Sequence, residues 1–237
     1  MLNGIFSTFS GKYVNGRRLE IISNNIANVS TPGFKALRPV FTSMTGEETA
    51  QKLENTFTSI YDAYSNFTAA PPIETGGNLD FAIEGDGFFV VSTKEGPMYT
   101  RNGKFTLDSE GKLVTSDGNP VLGKGGEITI DGKEISVESD GSLYVDKAFV
   151  DVLKVVDFAE KKDIRNYGKN LFVNTNEQNE EIIPENLSVR QGYYEGSNVD
   201  MMREMIELMY TVRAYEAYTK ADRSLDDILG KLINMGR

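Results

Sequence analysis

From Val199 to Leu229 the chain contains neither proline nor glycine, and its apolar residues return every three or four positions. Nothing else in the sequence restricts the fold as much. Such a run reads as one continuous helix. Ser197-Asn198 ahead of it offers an N-cap, with Asp200 and Glu204 near the positive end of the helix dipole. Met205, Leu208, Val212 and Tyr215 form a first apolar stripe, and Tyr218, Ala221, Leu225, Ile228, Leu232 and Met235 form a second, shifted in phase. A helix of about 35 residues is about 50 Å long at roughly 1.5 Å per residue. That outruns a small β body, so its apolar face needs cover from other chains or from a second helix.

The opposite end supplies a second helix. Leu2, Ile5 and Phe9, and then Leu19, Ile22, Ile26 and Val29, are also spaced three and four apart. Gly4, Gly11 and Gly16 weaken it by about 1 kcal/mol each relative to alanine, so this helix needs packing to persist. Thr31-Pro32-Gly33 stops it near Asn28, because proline pre-sets φ at the first corner of a turn and glycine accepts positive φ at the second.

Residues 37–76 read as an irregular or extended connector with scattered anchors (Val40, Phe41, Phe57, Ile60, Tyr61, Tyr64, Phe67). From Leu79 the period changes to two. Leu79, Phe81 and Ile83 alternate with Asp80, Ala82 and Glu84, Gly85-Asp86-Gly87 interrupts, and Phe88–Val91 reads as a buried strand. Turn pairs follow at Glu110-Gly111, Asp117-Gly118, Asp131-Gly132 and Asp140-Gly141, with short strands at 112–114, 128–130, 134–137, 143–145 and 152–156. The expected fold is α+β: long terminal helices of coiled-coil type flanking a central all-β domain. The expected segments are 1–36 (helix and turn), 37–76 (connector), 77–196 (β domain) and 197–237 (helix).

Composition narrows the function. Histidine, cysteine and tryptophan are absent, which removes the commonest general base, the best nucleophile and the usual zinc ligands. The net charge is −10. Residues 1–45 set Lys12, Arg17, Arg18, Lys35 and Arg38 against Glu20 alone, so the acid excess lies in the middle of the chain. An acidic body argues against nucleic-acid binding. No apolar run is long enough for a transmembrane helix, and the start lacks a basic stretch followed by an apolar one, so no cleaved secretory signal is expected.

Candidate chemical motifs fare poorly. Gly85-Asp86-Gly87 precedes a strand instead of opening a helix, so it lacks dinucleotide-cradling geometry. Gly123-Lys124-Gly125-Gly126 lacks the ending of a phosphate loop. Asp108-Ser109-Glu110-Gly111 and Asp117-Gly118-Asn119 lack the spacing of a calcium loop and are explained as turns. Asp80, Glu84 and Asp86 are the carboxylates a carbohydrate-cleaving β domain would need, but the alternation puts Asp80 and Glu84 on the solvent face. Met201, Met202, Met205 and Met209 form an adaptable contact surface at the head of the long helix.

Three stretches carry a family resemblance. Ser23-Asn24-Asn25-Ile26-Ala27-Asn28-Val29-Ser30-Thr31-Pro32-Gly33-Phe34-Lys35 is similar to the N-terminal signature of bacterial flagellar rod and hook proteins. Gly77–Val91 with Gly85 and Gly87, continued by Tyr99–Asp108 and Gly118–Gly123, resembles their central β domain. Gln191-Gly192, Glu195-Gly196-Ser197-Asn198-Val199 and then Arg213-Ala214-Tyr215-Glu216 resemble their C-terminal region. The short central body and the wording at Ser30–Phe34 look nearest to the proximal rod members, with distal rod members as the alternative.

The resemblance implies a structural subunit of the basal-body rod with no catalytic residue, cofactor or small-molecule substrate. It implies export through the flagellar type III apparatus without signal cleavage. It also implies polymerisation in the periplasm into a helical tube, together with other rod and hook proteins. Ile5, Phe9, Leu19, Ile22, Ile26, Met205, Leu208, Val212, Tyr215, Leu225, Ile228 and Leu232 are the expected subunit-packing residues.

Overall fold

The computed structural model describes residues 2–45, 56–184 and 186–235; at 2–6, 42–45, 56–61, 229, 232, 233 and 235 it describes the backbone alone. Helix α1 spans Leu2–Ala27 and helix α2 spans Met201–Met235. Contacts divide the chain into two compact units. One takes the described parts of 1–27, 37–64 and 200–237; the other takes 28–36 and 65–199. The architecture is α+β, with helices at both ends of a mostly β centre.

In the helical unit α1 and α2 run antiparallel. Lys12 meets Asp222 at 3.3 Å, Arg18 meets Glu207 at 3.0 Å and Asn25 meets Glu204 at 3.2 Å, so numbers fall on one helix as they rise on the other. Among the described side chains of α1, the buried apolar residues are Val14, Ile21 and Ile22. Gly11, which costs α1 helix propensity, sits where a Cβ would overlap the ring of Tyr218, so the close approach accounts for it.

The connector differs from expectation. Strands Leu37–Thr45 and Thr56–Ser65 pair as a two-stranded sheet, and Pro72–Glu74 pairs with Tyr193–Glu195. β-branched and aromatic residues crowd 56–65, and their strand preference acts without a clean alternation. Asn25 starts the first of these strands: its side chain accepts from the Leu37 N–H at 2.8 Å and donates to the Leu37 carbonyl at 3.0 Å. The expected anchors Phe57, Ile60 and Tyr61 lie outside the described side chains.

The β unit is built on a six-stranded sheet. Its order is Ile164–Gly168, Leu171–Asn174, Gly96–Thr100, Phe88–Thr93, Val155–Phe158 and Glu181–Ile182, antiparallel throughout. Both faces are covered. Phe89, Val91, Met98 and Val155 join one apolar cluster with Phe81, Phe105, Leu113 and Leu143; Phe88, Val90, Tyr99 and Val156 join the other with Phe158, Ile164 and Phe172. This is why Phe88–Val91 reads as an unbroken apolar run: successive side chains point to opposite faces, and each face is dry.

The turn pairs behave as expected at Gly111, Gly118 and Gly141, which have positive φ. Residues 128–130 form a single isolated bridge, Thr129 to Lys112, instead of a strand, although Ile128 and Ile130 are buried.

Candidate assembly surfaces and a buried motif cluster

The N-terminal motif ends inside the β unit. The Phe34 N–H donates to the Thr31 carbonyl at 3.2 Å, with Pro32 and Gly33 as the corners and Gly33 at φ 68°. Glycine is required there twice over, because a Cβ would also run into the backbone of Arg101 and Asn102. Asn28 steadies the turn by accepting the Thr31 hydroxyl at 3.1 Å, and the Pro32 carbonyl accepts from Asn170 at 3.0 Å. Phe34 and Ala36 are buried with Val199.

Asn198 holds this segment. Its Oδ1 accepts the Ala36 N–H at 2.7 Å, while its Nδ2 donates to the carbonyls of Asn66 and Thr68 at 2.7 and 3.0 Å. It therefore does not cap α2 as expected. Asp200 does so, its Oδ1 accepting the Arg203 N–H at 3.1 Å, and Ser197 accepts the Val199 N–H at 3.3 Å. The extended residues before Asp200 leave Asn198 free to reach the segment across from it.

Three charges are buried beside the turn, and sequence reasoning assigned a role to none of them. Glu195 accepts from Lys35 Nζ at 2.7 Å, from Arg101 Nε at 2.5 Å and from the Ala70 N–H at 2.8 Å. Lys35 also donates to the Thr68 carbonyl at 2.9 Å. Arg101 donates to the Gly87 and Gly85 carbonyls at 2.6 and 2.9 Å. The Gly85–Gly87 loop of the family motif is thus a carbonyl cradle for a guanidinium.

Desolvation is the largest influence on Glu195 and acts upward. The charge and hydrogen bond of Arg101, the charge of Lys35 and the Ala70 N–H outweigh it, holding the carboxyl below its ordinary value. Burial pushes the Lys35 ammonium down, against the opposing pull of Glu195. The available signal was charge inside otherwise apolar motif blocks, at Lys35 after Phe34 and at Arg101 after Tyr99.

In the helical unit the expected packing stripes divide. On α2, Leu208, Tyr215 and Leu225 are half-buried, whereas Met205, Val212 and Ile228 are exposed. Positions seven apart differ by only about 20° around a helix, so Met205 and Val212 form one row and Leu208 and Tyr215 another, about 60° away. The covered row begins at Glu204, 1% exposed, which accepts from Arg38 at 2.6 Å and from Asn25. Its neighbour row continues the open face: Met202 at 69%, Ile206, Met209 and Tyr210.

On α1 Ile22 is buried, Leu19 and Ile26 are half-buried and Phe9 is 66% exposed. Asn24, Arg213 and Glu216 of the family motif lie on exposed surface. The side chains of Ile5 and Leu232 lie outside the described residues.

The carboxylates weighed for carbohydrate chemistry are engaged separately. Asp80 is buried, contrary to the expected solvent face, and accepts the Thr75 hydroxyl at 2.5 Å. Both faces of strand Phe81–Glu84 are covered, which is what draws Asp80 inside. Glu84 is exposed and pairs with Arg190 at 2.8 Å.

A chain whose motifs serve to hold its own segments together, and which leaves a row of apolar side chains exposed along a long helix, has the features of a structural assembly protein. Comparison with known proteins gives the family. Residues 15–35 match the model described as flagella basal body rod protein, residues 82–145 match the flagellar hook protein FlgE/F/G D1 domain, and residues 190–235 match the flagellar basal body rod FlgEFG protein C-terminal.

The flagellar basal-body rod protein FlgG of Bacillus subtilis is 31% identical, with both chains covered in full. The rod protein FlgF of Caulobacter vibrioides is 34% identical over 98% of this chain and 100% of the relative. FlgF of Rhizobium meliloti is 32% identical over 98% and 97%. This chain belongs to the flagellar basal-body rod protein family.

Proposed function

We propose that the chain polymerises through its terminal helices into the axial tube of the rod. The open row on α2, with Met202, Met205, Ile206, Met209, Tyr210 and Val212, is the observation that carries this reading. A contiguous apolar helix face in water favours association, and methionines adapt to imperfectly matched neighbours. A head-to-tail contact that does not close generates a helical filament. In the assembled tube, sister helices cover this row in coiled-coil fashion and line the inside. Ile5, Phe9, Leu19, Ile22 and Ile26 contribute from α1, and Leu208, Tyr215, Leu225, Ile228 and Leu232 from α2.

The chain reaches the periplasm through the flagellar type III apparatus without signal cleavage and joins other rod and hook proteins, in a proximal position. It acts as a scaffold, without catalytic residues or a cofactor. The test is incorporation of a tagged full-length chain into purified basal bodies. Replacing Met202, Met205 and Met209 with serine together should abolish incorporation while leaving the isolated protein folded. Incorporation at the unaltered level would refute this reading.

A further inference from the structure

Rod assembly through helix faces gives no role to the buried trio of Lys35, Glu195 and Arg101. Their side chains are 0%, 4% and 5% exposed. Burying three charges is expensive, and an apolar trio of similar volume would serve stability as well or better. What the charges add is a dependence on protonation.

Glu195 is the only anion bonded to either cation among the described residues. The other charged groups nearby are Asp86, Asp157 and Lys161: Lys161 pairs with Asp86 at 2.5 Å and lies 3.7 Å from Asp157, and Asp86 feels the charges of Arg101 and Lys35 without bonding to either. The chain packed on the other side, Asn66–Ala70, contributes carbonyls and an N–H but no charge. A protonated Glu195 therefore leaves Lys35 and Arg101 buried together with no bonded counterion.

We propose that Lys35, Glu195 and Arg101 form an acid-released clasp. Protonation of Glu195 frees the segment 28–36 from the β unit while the six-stranded sheet stays folded. The sheet has its own support, since the clusters around Phe89 and Phe88 do not include Lys35, Phe34 or Ala36. The segment depends on Glu195 twice, through the Lys35 ion pair and through the Gly33 N–H, which donates to the Glu195 carbonyl at 2.7 Å.

The direction of the effect follows from linkage. Glu195 is held below the ordinary 4.5 when the clasp is closed, so opening takes up a proton as pH falls. The clasp is complete above pH 4.5 and weakens as pH drops through the closed-state value. One proton per opening makes the opening constant rise about tenfold per pH unit in that window. Alkali acts the other way. Lys35 is pushed below its ordinary 10.5 by burial, so the closed form sheds its proton first and rising pH favours closure. A neutral amine still donates to the Thr68 carbonyl, and Arg101 still pairs with Glu195. The clasp yields to acid alone.

Amide hydrogen exchange on the isolated full-length chain, followed residue by residue between pH 7 and pH 3, reads this directly. Protection at Gly33 and Ala36 should fall about tenfold per pH unit below roughly 4.5, while Phe88–Thr93 keeps its protection. Lys35→Met leaves Arg101 as the only cation and should keep the segment closed into the acid range. Glu195→Gln should open it at neutral pH.

The proposal is overturned if Gly33 and Ala36 stay protected at pH 3, or if they lose protection together with Phe88–Thr93. It is equally overturned if Lys35→Met opens with the unaltered profile. Should Glu195→Gln fail to fold, the unaltered chain and Lys35→Met decide between these outcomes.

Discussion

The β unit and the helical unit differ in what they bury and what they gather at the surface. In the β unit the buried trio of charges is fully paired, and Glu195 accepts three hydrogen bonds in a site with almost no exposure. In the helical unit greasy side chains remain in water: Met202, Met205, Met209 and Tyr210 are exposed on the longest element of the chain. Ion pairs there, Lys12–Asp222 and Arg18–Glu207, sit at the half-exposed edge of the helix pair, where such contacts contribute about 0–1 kcal/mol. The β unit also exposes Phe149 and Ile183, but the helical unit gathers a row of exposed apolar side chains along one helix. Substitutions in the first should therefore register as stability, and substitutions in the second as association.

The largest effect is expected at Glu195. Changing it to alanine strands two buried cations, and breaking a buried pair in this way costs about 3–5 kcal/mol; urea unfolding followed by circular dichroism measures it. Gly33→Ala comes next. A left-handed backbone costs a non-glycine residue about 1–2 kcal/mol, and the overlap with the Arg101–Asn102 backbone adds to that. If Gly33→Ala leaves the urea midpoint unchanged, the turn is not locked into the unit and the contrast weakens. Asp200→Ala removes the true cap of α2 and should cost about 1 kcal/mol. Ser197→Ala should cost the helix nothing, which separates the observed cap from the expected one by far-ultraviolet helicity.

Much of this was legible in the sequence, for identifiable reasons. The two helices declared themselves through three-four spacing, the turn at Thr31–Gly33 through proline and glycine chemistry, and strand Phe88–Thr93 through an apolar run too short for a helix. The sheet formed by 37–45 and 56–65 was missed because β-branched and aromatic residues there follow no clean period. Asn198 was misassigned because asparagine before a helix is a good cap, and only tertiary packing shows that it serves Ala36 and Asn66 instead. The trio at Lys35, Arg101 and Glu195 lay in plain view inside the motifs. Its members are 66 and 94 positions apart, and no local pattern links partners so distant. The helical stripe holds two rows about 60° apart, which period counting merges and which packing within the chain separates into covered and open.

The smallest expected effect on the isolated chain decides the most. Serine at Met202, Met205 and Met209 changes exposed side chains, and surface substitutions fall within about 0.5 kcal/mol each. The urea midpoint should hardly move. Leu208→Ser, on the covered row 60° away, should instead loosen α1 from α2 and lower helicity in the isolated protein. If the open face is a docking surface, the three methionine changes erase sedimentation of polymers and incorporation into basal bodies without touching stability, whereas Leu208→Ser lowers both. Should the methionine triple variant lose stability as Leu208→Ser does, the open row would be supporting the fold of its own chain. The case for that helix face as a docking surface would then dissolve.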